Sequence, residues 1–119
     1  MSSIEDRVLN NMKFRQVFKD NLVNNPWLLN YEKGSAEIPG KGEGTVHTTS
    51  WQTGENQHTV VPTVMENKEG NLQYYDDKDE AFLRGYGITF PSEQEAKDFS
   101  IWLHELHQMS GENEQSYEL

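Results

Sequence analysis

Residues 91–109, PSEQEAKDFSIWLHELHQM, constrain the fold more than any other stretch of the chain. They mark a helix at its start, along its buried face and at its end. Ser92 and Glu95 stand in the S-x-x-E spacing of a capping box, which supplies partners for amide donors that the first helical turn leaves open. Ala96, Phe99, Leu103 and Leu106 then recur at three and four residues, with Trp102 beside them. That spacing puts one apolar stripe on one face, from Glu93 to Met109. Ser110-Gly111 is the expected stop. The tail that follows, 110–119, is polar and acidic and is expected to be disordered.

A helix with a single apolar face needs a surface to lie on, and the preceding residues supply strands. Thr45–Trp51, TVHTTSW, has the β-branched and aromatic content of one strand. His58–Met65, HTVVPTVM, is the most apolar strand candidate. Pro62 within it has no N–H to give a ladder, so it belongs at an edge or a bulge. Thr53-Gly54-Glu55-Asn56 forms the turn between them, and the two strands are expected to make an antiparallel hairpin. Leu72–Tyr75 is a third short strand after the turn at residues 67–71. The acidic run Asp76-Asp77-Lys78-Asp79-Glu80 suits a helix N-terminus, where it faces the positive end of the dipole. A short helix is expected over 77–85, ended by Gly85 and Gly87. Ile88-Thr89-Phe90 is extended.

Upstream, Ile4, Val8, Met12, Phe14, Phe18 and Leu22 share one broad arc at helical spacing, which predicts a helix over Ile4–Val23. Ser2 or Ser3 can cap it, and Ser2 with Glu5 matches a second capping box. Asn24-Asn25-Pro26 stops it, since proline disfavours helical geometry in the residue before it. The arc is wide enough either to pack on its own domain or to contact a partner. Trp27-Leu28-Leu29 follows as an apolar anchor. Residues 30–44, NYEKGSAEIPGKGEG, hold four Gly and one Pro and read as a linker or mobile loop. The expected organisation is therefore an N-terminal helical arm (1–30), a flexible Gly-rich linker (31–44), a small α+β domain (45–109) and the tail.

Several function classes fall away on composition. There is no Cys, which removes disulfides and thiolate chemistry. Twenty acidic against ten basic residues give a net charge of −10, and such a surface repels phosphates, so direct nucleic-acid binding is not expected. No apolar run reaches the about 18 residues that would mark a transmembrane helix. The first residues, Met1-Ser2-Ser3-Ile4-Glu5-Asp6, lack the basic and apolar regions of a secretory signal. Only 34% of the chain is hydrophobic, but five Phe, five Tyr and three Trp can each bury a large area.

The residues that could carry chemistry do not assemble into a known pattern. His104 and His107 lie three apart on the last helix, yet a metal would need a third ligand from His47 or His58. Paired carboxylates at 76–77, 79–80, 93 and 95 sit in polar runs where capping explains them. A general acid would need an apolar pocket instead. The run from Asp76 to Glu80 lacks the spacing of a Ca²⁺ loop. Gly40-Lys41-Gly42-Glu43-Gly44 leads into a strand and not a helix, unlike a phosphate cradle. There is no G-x-S-x-G elbow. Trp51, Tyr74 and Tyr75 could stack on bases or sugars or pack on a sheet. No cofactor is expected.

Taken in order, four segments resemble a known domain. They are Thr45-Val46-His47-Thr48-Thr49-Ser50, Val60-Val61-Pro62-Thr63-Val64, Asp77-Lys78-Asp79-Glu80-Ala81, and Phe90-Pro91-Ser92 through Leu103-His104. Their arrangement over 44–107 is similar to a small α+β domain of tailed-bacteriophage proteins, found free-standing and inside virion-associated proteins. His47 stands where members usually carry Arg. The resemblance implies a binding or structural role without catalytic residues. It implies phage structural partners at a portal, tail or capsid position, and a place in the virion or the infected-host cytoplasm. A homo-oligomer is compatible with such a position. The alternative is a phage-encoded inhibitor that turns an acidic surface on a host or defence protein. A third class is an enzyme, or an accessory of a lytic enzyme, acting on cell-wall glycan, for which the carboxylate pairs lack the apolar setting that acid–base work needs. On any partner-binding reading the contact residues are Phe14, Phe18, Leu22 and Trp27 on the arm, and Asp76, Asp77, Asp79 and Glu80 on the acidic run.

Overall fold

The computed structural model describes residues 3–113 and is an α+β fold. Helices α1 (Ile4–Leu9) and α2 (Met12–Asn21) lead into a 3-10 segment, Pro26–Glu32. A hairpin follows, β1 (Ala36–Ile38) with β2 (Gly42–Gly44). Then come β3 (Thr48–Gly54), β4 (Gln57–Pro62), β5 (Val64–Glu66), β6 (Leu72–Tyr74), α3 (Lys78–Leu83), β7 (Ile88–Phe90) and α4 (Glu93–Asn113). The central sheet has the order β3-β4-β7, antiparallel throughout, and two two-stranded sheets, β1-β2 and β5-β6, stand beside it.

α4 begins where Ser92 caps it. The Glu95 N–H donates to Ser92 Oγ at 3.2 Å. The Glu95 carboxylate is engaged elsewhere, by Lys13 Nζ of α2. Ala96, Phe99, Leu103 and Leu106 are fully buried, as their spacing predicts. The helix runs on through Ser110-Gly111 to Asn113. Of the expected tail, 110–113 are therefore helical, and 114–119 lie outside the described residues.

The N-terminal stretch is two helices and not one. Asn11 starts the second, its Oδ1 accepting from the Phe14 N–H at 3.0 Å. Ser3 caps the first through the Asp6 N–H; Ser2, the other half of the expected capping box, lies outside the described residues. Both helices pack on α4 and not away from it. Phe14 meets Phe99 edge to face at 5.5 Å, and Phe18 meets Trp102 at 5.8 Å. Trp102 Nε1–H donates to the Val8 carbonyl at 3.1 Å, and Arg7 pairs with Glu105 at 3.2 Å. The physical reason is area: a chain this poor in apolar residues needs its N-terminal aromatics to complete the core around α4.

Residues 31–44, expected as a flexible linker, form the end of the 3-10 segment and the β1–β2 hairpin. Ala36 and Ile38 point inward and Glu37 outward. The pair packs with Val64 and Leu72 in a second small core. The glycines serve the turn: Gly40 and Gly42 hold φ of +74° and +79°, a region most side chains avoid. A Cβ on Gly44 would lie 2.9 Å from Ile38 Cδ1. Arm, linker and domain thus share one continuous structure.

The long strand expected over His58–Met65 is split at Thr63 into β4 and β5, and the strand expected at Thr45 begins at Thr48. Pro62 explains its own position. The Thr63 N–H donates to the His47 carbonyl at 2.8 Å, so odd-numbered residues of β4 turn their amides to β3. The amide position of Pro62 therefore faces the β7 side, and β7 pairs no further than Val60 with Ile88. The missing donor falls where the ladder has ended.

Asn25 ties the N-terminal segment to the sheet. Its Oδ1 accepts both from Trp27 Nε1–H at 2.9 Å and from the Gly87 N–H at 2.8 Å, and the residue is 1% exposed. Asn25→Leu strands one buried and one part-buried donor at once, which should cost about 2–3 kcal/mol. Urea unfolding monitored by Trp fluorescence measures this; a loss below about 0.5 kcal/mol would show that the donors find other partners.

Candidate functional site

The structure separates the two groups of residues that the sequence nominates for partner contact. Phe14, Phe18 and Trp27 are buried, and Leu22 packs partly buried against them. Their apolar surface is spent on α4. The acidic group does face solvent, and α3 is what positions it. Asp77 caps α3, its Oδ1 accepting from the Asp79 N–H at 2.9 Å. Asp76, Asp77 and Asp79 are exposed. Glu80 is committed to Arg84, 3.1 Å away on the next turn. Arg84 also donates to the Glu66 carbonyl, which fixes α3 to the end of β5.

Two large apolar residues follow this run on the same helix. Phe82 is 45% and Leu83 84% exposed. Both belong to a helix of six residues, which can seat only a narrow stripe, and Ala81 takes that stripe against Val61 and Met65. The sequence carried this signal: three successive residues Ala-Phe-Leu cannot all face inward from so short a helix. Phe82 meets Trp51 of β3 edge to face at 5.0 Å, and Lys78 Nζ sits over the same indole at 4.7 Å. Trp51 thus packs on the sheet face beneath α3. The result is a surface with an apolar centre and an acidic flank. A shallow groove of about 340 Å³ runs beside it, lined by Phe82 and Tyr86 and floored by Thr53, Thr59 and Thr89. The threonine hydroxyls bond to one another, at 2.8 and 3.1 Å, across the three strands.

His47 and His107 have structural partners. His107 is buried; its Nε2–H donates to the Leu28 carbonyl at 3.0 Å, and Thr45 Oγ1 lies 2.7 Å from Nδ1. That pairing holds one N–H on Nε2 and leaves Nδ1 to accept. Burial pushes the His107 pKa down to about 3, so the ring stays neutral. His104 is also lowered, by burial first and then by His47 and Lys41 nearby. His47 lies 2.7 Å from Thr63 Oγ1, and burial lowers it as well. His104 and His107 line an open groove with Glu43 and Thr45. Among the described residues no three His, Asp or Glu side chains are grouped to hold a metal ion. Glu93, held below the ordinary carboxylate range by its bond and charge contact with Lys97, is the reverse of a raised general acid.

No helix among the described residues is long and apolar enough to cross a membrane. Compared with known proteins, the chain matches no family model, no curated protein and no solved structure.

Proposed function

We propose that this chain is a non-enzymatic bacteriophage structural or virion-associated protein that acts through protein–protein contacts. The observation that carries the contact reading is the α3 surface. Phe82 and Leu83 are exposed on a helix otherwise fixed by Arg84 and the Asp77 cap. Large apolar groups held rigidly in water are the kind of anchor that a partner pocket uses, and the flanking carboxylates add orientation more than affinity. The phage assignment rests on the ordered resemblance of segments in 44–107. Portal, tail or capsid proteins are the partners it implies.

A second reading keeps the same surface but turns it on a host or defence protein with a basic site. Exposed Asp76, Asp77 and Asp79 favour it. Mass spectrometry of purified particles separates the two: the chain is expected among virion components, and its absence would sink the structural reading. Leu83→Ser should cut incorporation about 10-fold or more while moving stability by no more than about 0.5 kcal/mol; adding Phe82→Ala also removes the ring contact with Trp51, which should cost a further about 0.5–1.5 kcal/mol. If incorporation is unchanged, α3 is not the contact. Under the inhibitor reading, Asp76→Asn, Asp77→Asn and Asp79→Asn together should abolish a salt-sensitive host interaction instead.

A further inference from the structure

We propose that β3 is a self-association edge, at which two copies of this chain join their sheets antiparallel about a two-fold axis through Ser50. The inference stands on strand geometry and does not depend on the phage reading or on the α3 surface.

β3 pairs with β4 on one side only. Because the Thr63 N–H reaches the His47 carbonyl, Thr49 and Trp51 turn their backbone groups to β4. Thr48, Ser50 and Gln52 turn theirs outward. Among the described residues no backbone group pairs with that outer row. An unpaired edge is a template for another strand unless it is short, charged or interrupted by proline. The opposite edge of the same sheet is protected in this way: β7 has three residues and is followed at once by Pro91. β3 has seven residues, TTSWQTG, with no charge and no proline, and its register is regular over Thr48–Gln52, shifting only at the far end between Gln52 and Gly54. One edge is blunted and the other is left open.

A second copy fits this edge for two reasons. First, each chain carries a net charge of −10, so identical molecules can approach closely only along an uncharged seam. Thr48–Gly54 is such a seam. Second, the strand is complementary to itself about Ser50. Ser50 meets Ser50 of the other copy, Thr48 meets Gln52, and Thr49 meets Trp51. The last is an aromatic–β-branched cross-strand pair, a favourable kind, and no like charges fall opposite each other. The two faces of the seam differ. On one, Thr48 Oγ1 bonds Ser100 Oγ of α4 at 3.2 Å. On the other face lie Trp51 and Phe82. The product is one six-stranded sheet, β7-β4-β3-β3-β4-β7.

Light scattering on the purified full chain should give twice the 13.8 kDa monomer mass. Ser50→Pro removes an outward donor and spares the β3–β4 ladder, and it should return the mass to that of the monomer. The absence of native Cys allows a second, register-specific measurement. Ser50→Cys should crosslink to a copy of itself on mild oxidation. Gln52→Cys alone should not, because two such residues lie roughly 13 Å apart along the seam. A mixture of Thr48→Cys with Gln52→Cys should crosslink. If Ser50→Pro fails to fold, the cysteine series decides. A monomeric wild type at high micromolar concentration, equal crosslinking at Ser50 and Gln52, or an edge occupied only by a different protein would each overturn the proposal.

Discussion

Phe99→Ala should destabilise the chain by about 3–5 kcal/mol, the range for removing a buried aromatic ring. Phe99 is fully buried and is the point where three elements meet. Its ring lies 5.5 Å from Phe14 of α2, 5.2 Å from Phe90 of β7 and 5.6 Å from Trp102 one turn on. Those neighbours are themselves held by backbone in a helix, a strand and a helix, so the cavity cannot collapse without moving an element. Domains of this size are commonly stable by about 5–15 kcal/mol, so the loss is a large share of the total. Thermal unfolding should shift down by roughly 10–20 °C. A shift under about 5 °C would mean that α2 closes onto α4 over the gap, and that the aromatic cluster is looser than the packing shows.

Acidification is the second large effect, and its sign follows from His107. The folded pKa is about 3, below the 6.5 of a free imidazole, with burial as the main cause. Between those values the unfolded chain binds the extra proton and the folded chain does not. The stability that neutral His107 preserves is therefore complete above pH 6.5 and is lost progressively as pH falls toward 3. At pH 4.5 the loss is about 2–3 kcal/mol, at 1.4 kcal/mol for each unit of difference. His47 and His104 are lowered too and act in the same direction. His107→Gln isolates the effect. Its amide can donate to the Leu28 carbonyl and accept from Thr45, but it does not titrate. Urea midpoints measured from pH 7 to pH 4 should fall more steeply in the wild type than in this variant. Parallel curves would remove His107 as the cause.

The same residues show where sequence reasoning reached and where it stopped. α4 was legible because its cap, stripe and length agree, and Ser92, Phe99 and Leu103 lie where the spacing puts them. The break at Asn10-Asn11 was not. The apolar arc runs across it without interruption, because α1 and α2 face the same helix, and only the Asn11 cap marks the second start. The β1–β2 hairpin was hidden by its glycines. Three residues of alternation, Ala36-Glu37-Ile38, are too few to outweigh a Gly-rich neighbourhood. The candidate contact residues divided along the same line. Periodicity identifies an apolar face but does not say what covers it, so Phe14, Phe18 and Trp27 were as compatible with a partner as with α4. Phe82 and Leu83 required the opposite inference, that a helix of one and a half turns has no room for them.

The contact between the two ends of the described chain sets an order of events. Trp102 donates to the Val8 carbonyl across 94 residues of sequence. Phe14 and Phe18 likewise complete a core whose centre is α4. Contacts of such long separation must close a long loop before they return any energy, which slows folding. During synthesis α1 and α2 leave the ribosome first, and Phe14 and Phe18 of α2 lack Phe99 and Trp102 to pack on until α4 has emerged. At a translation rate of about 5–20 residues per second, that exposure lasts several seconds or more. The nascent chain therefore passes through a sticky interval that the finished protein does not show. In that interval Phe14 and Phe18 are exposed, as they are not after folding.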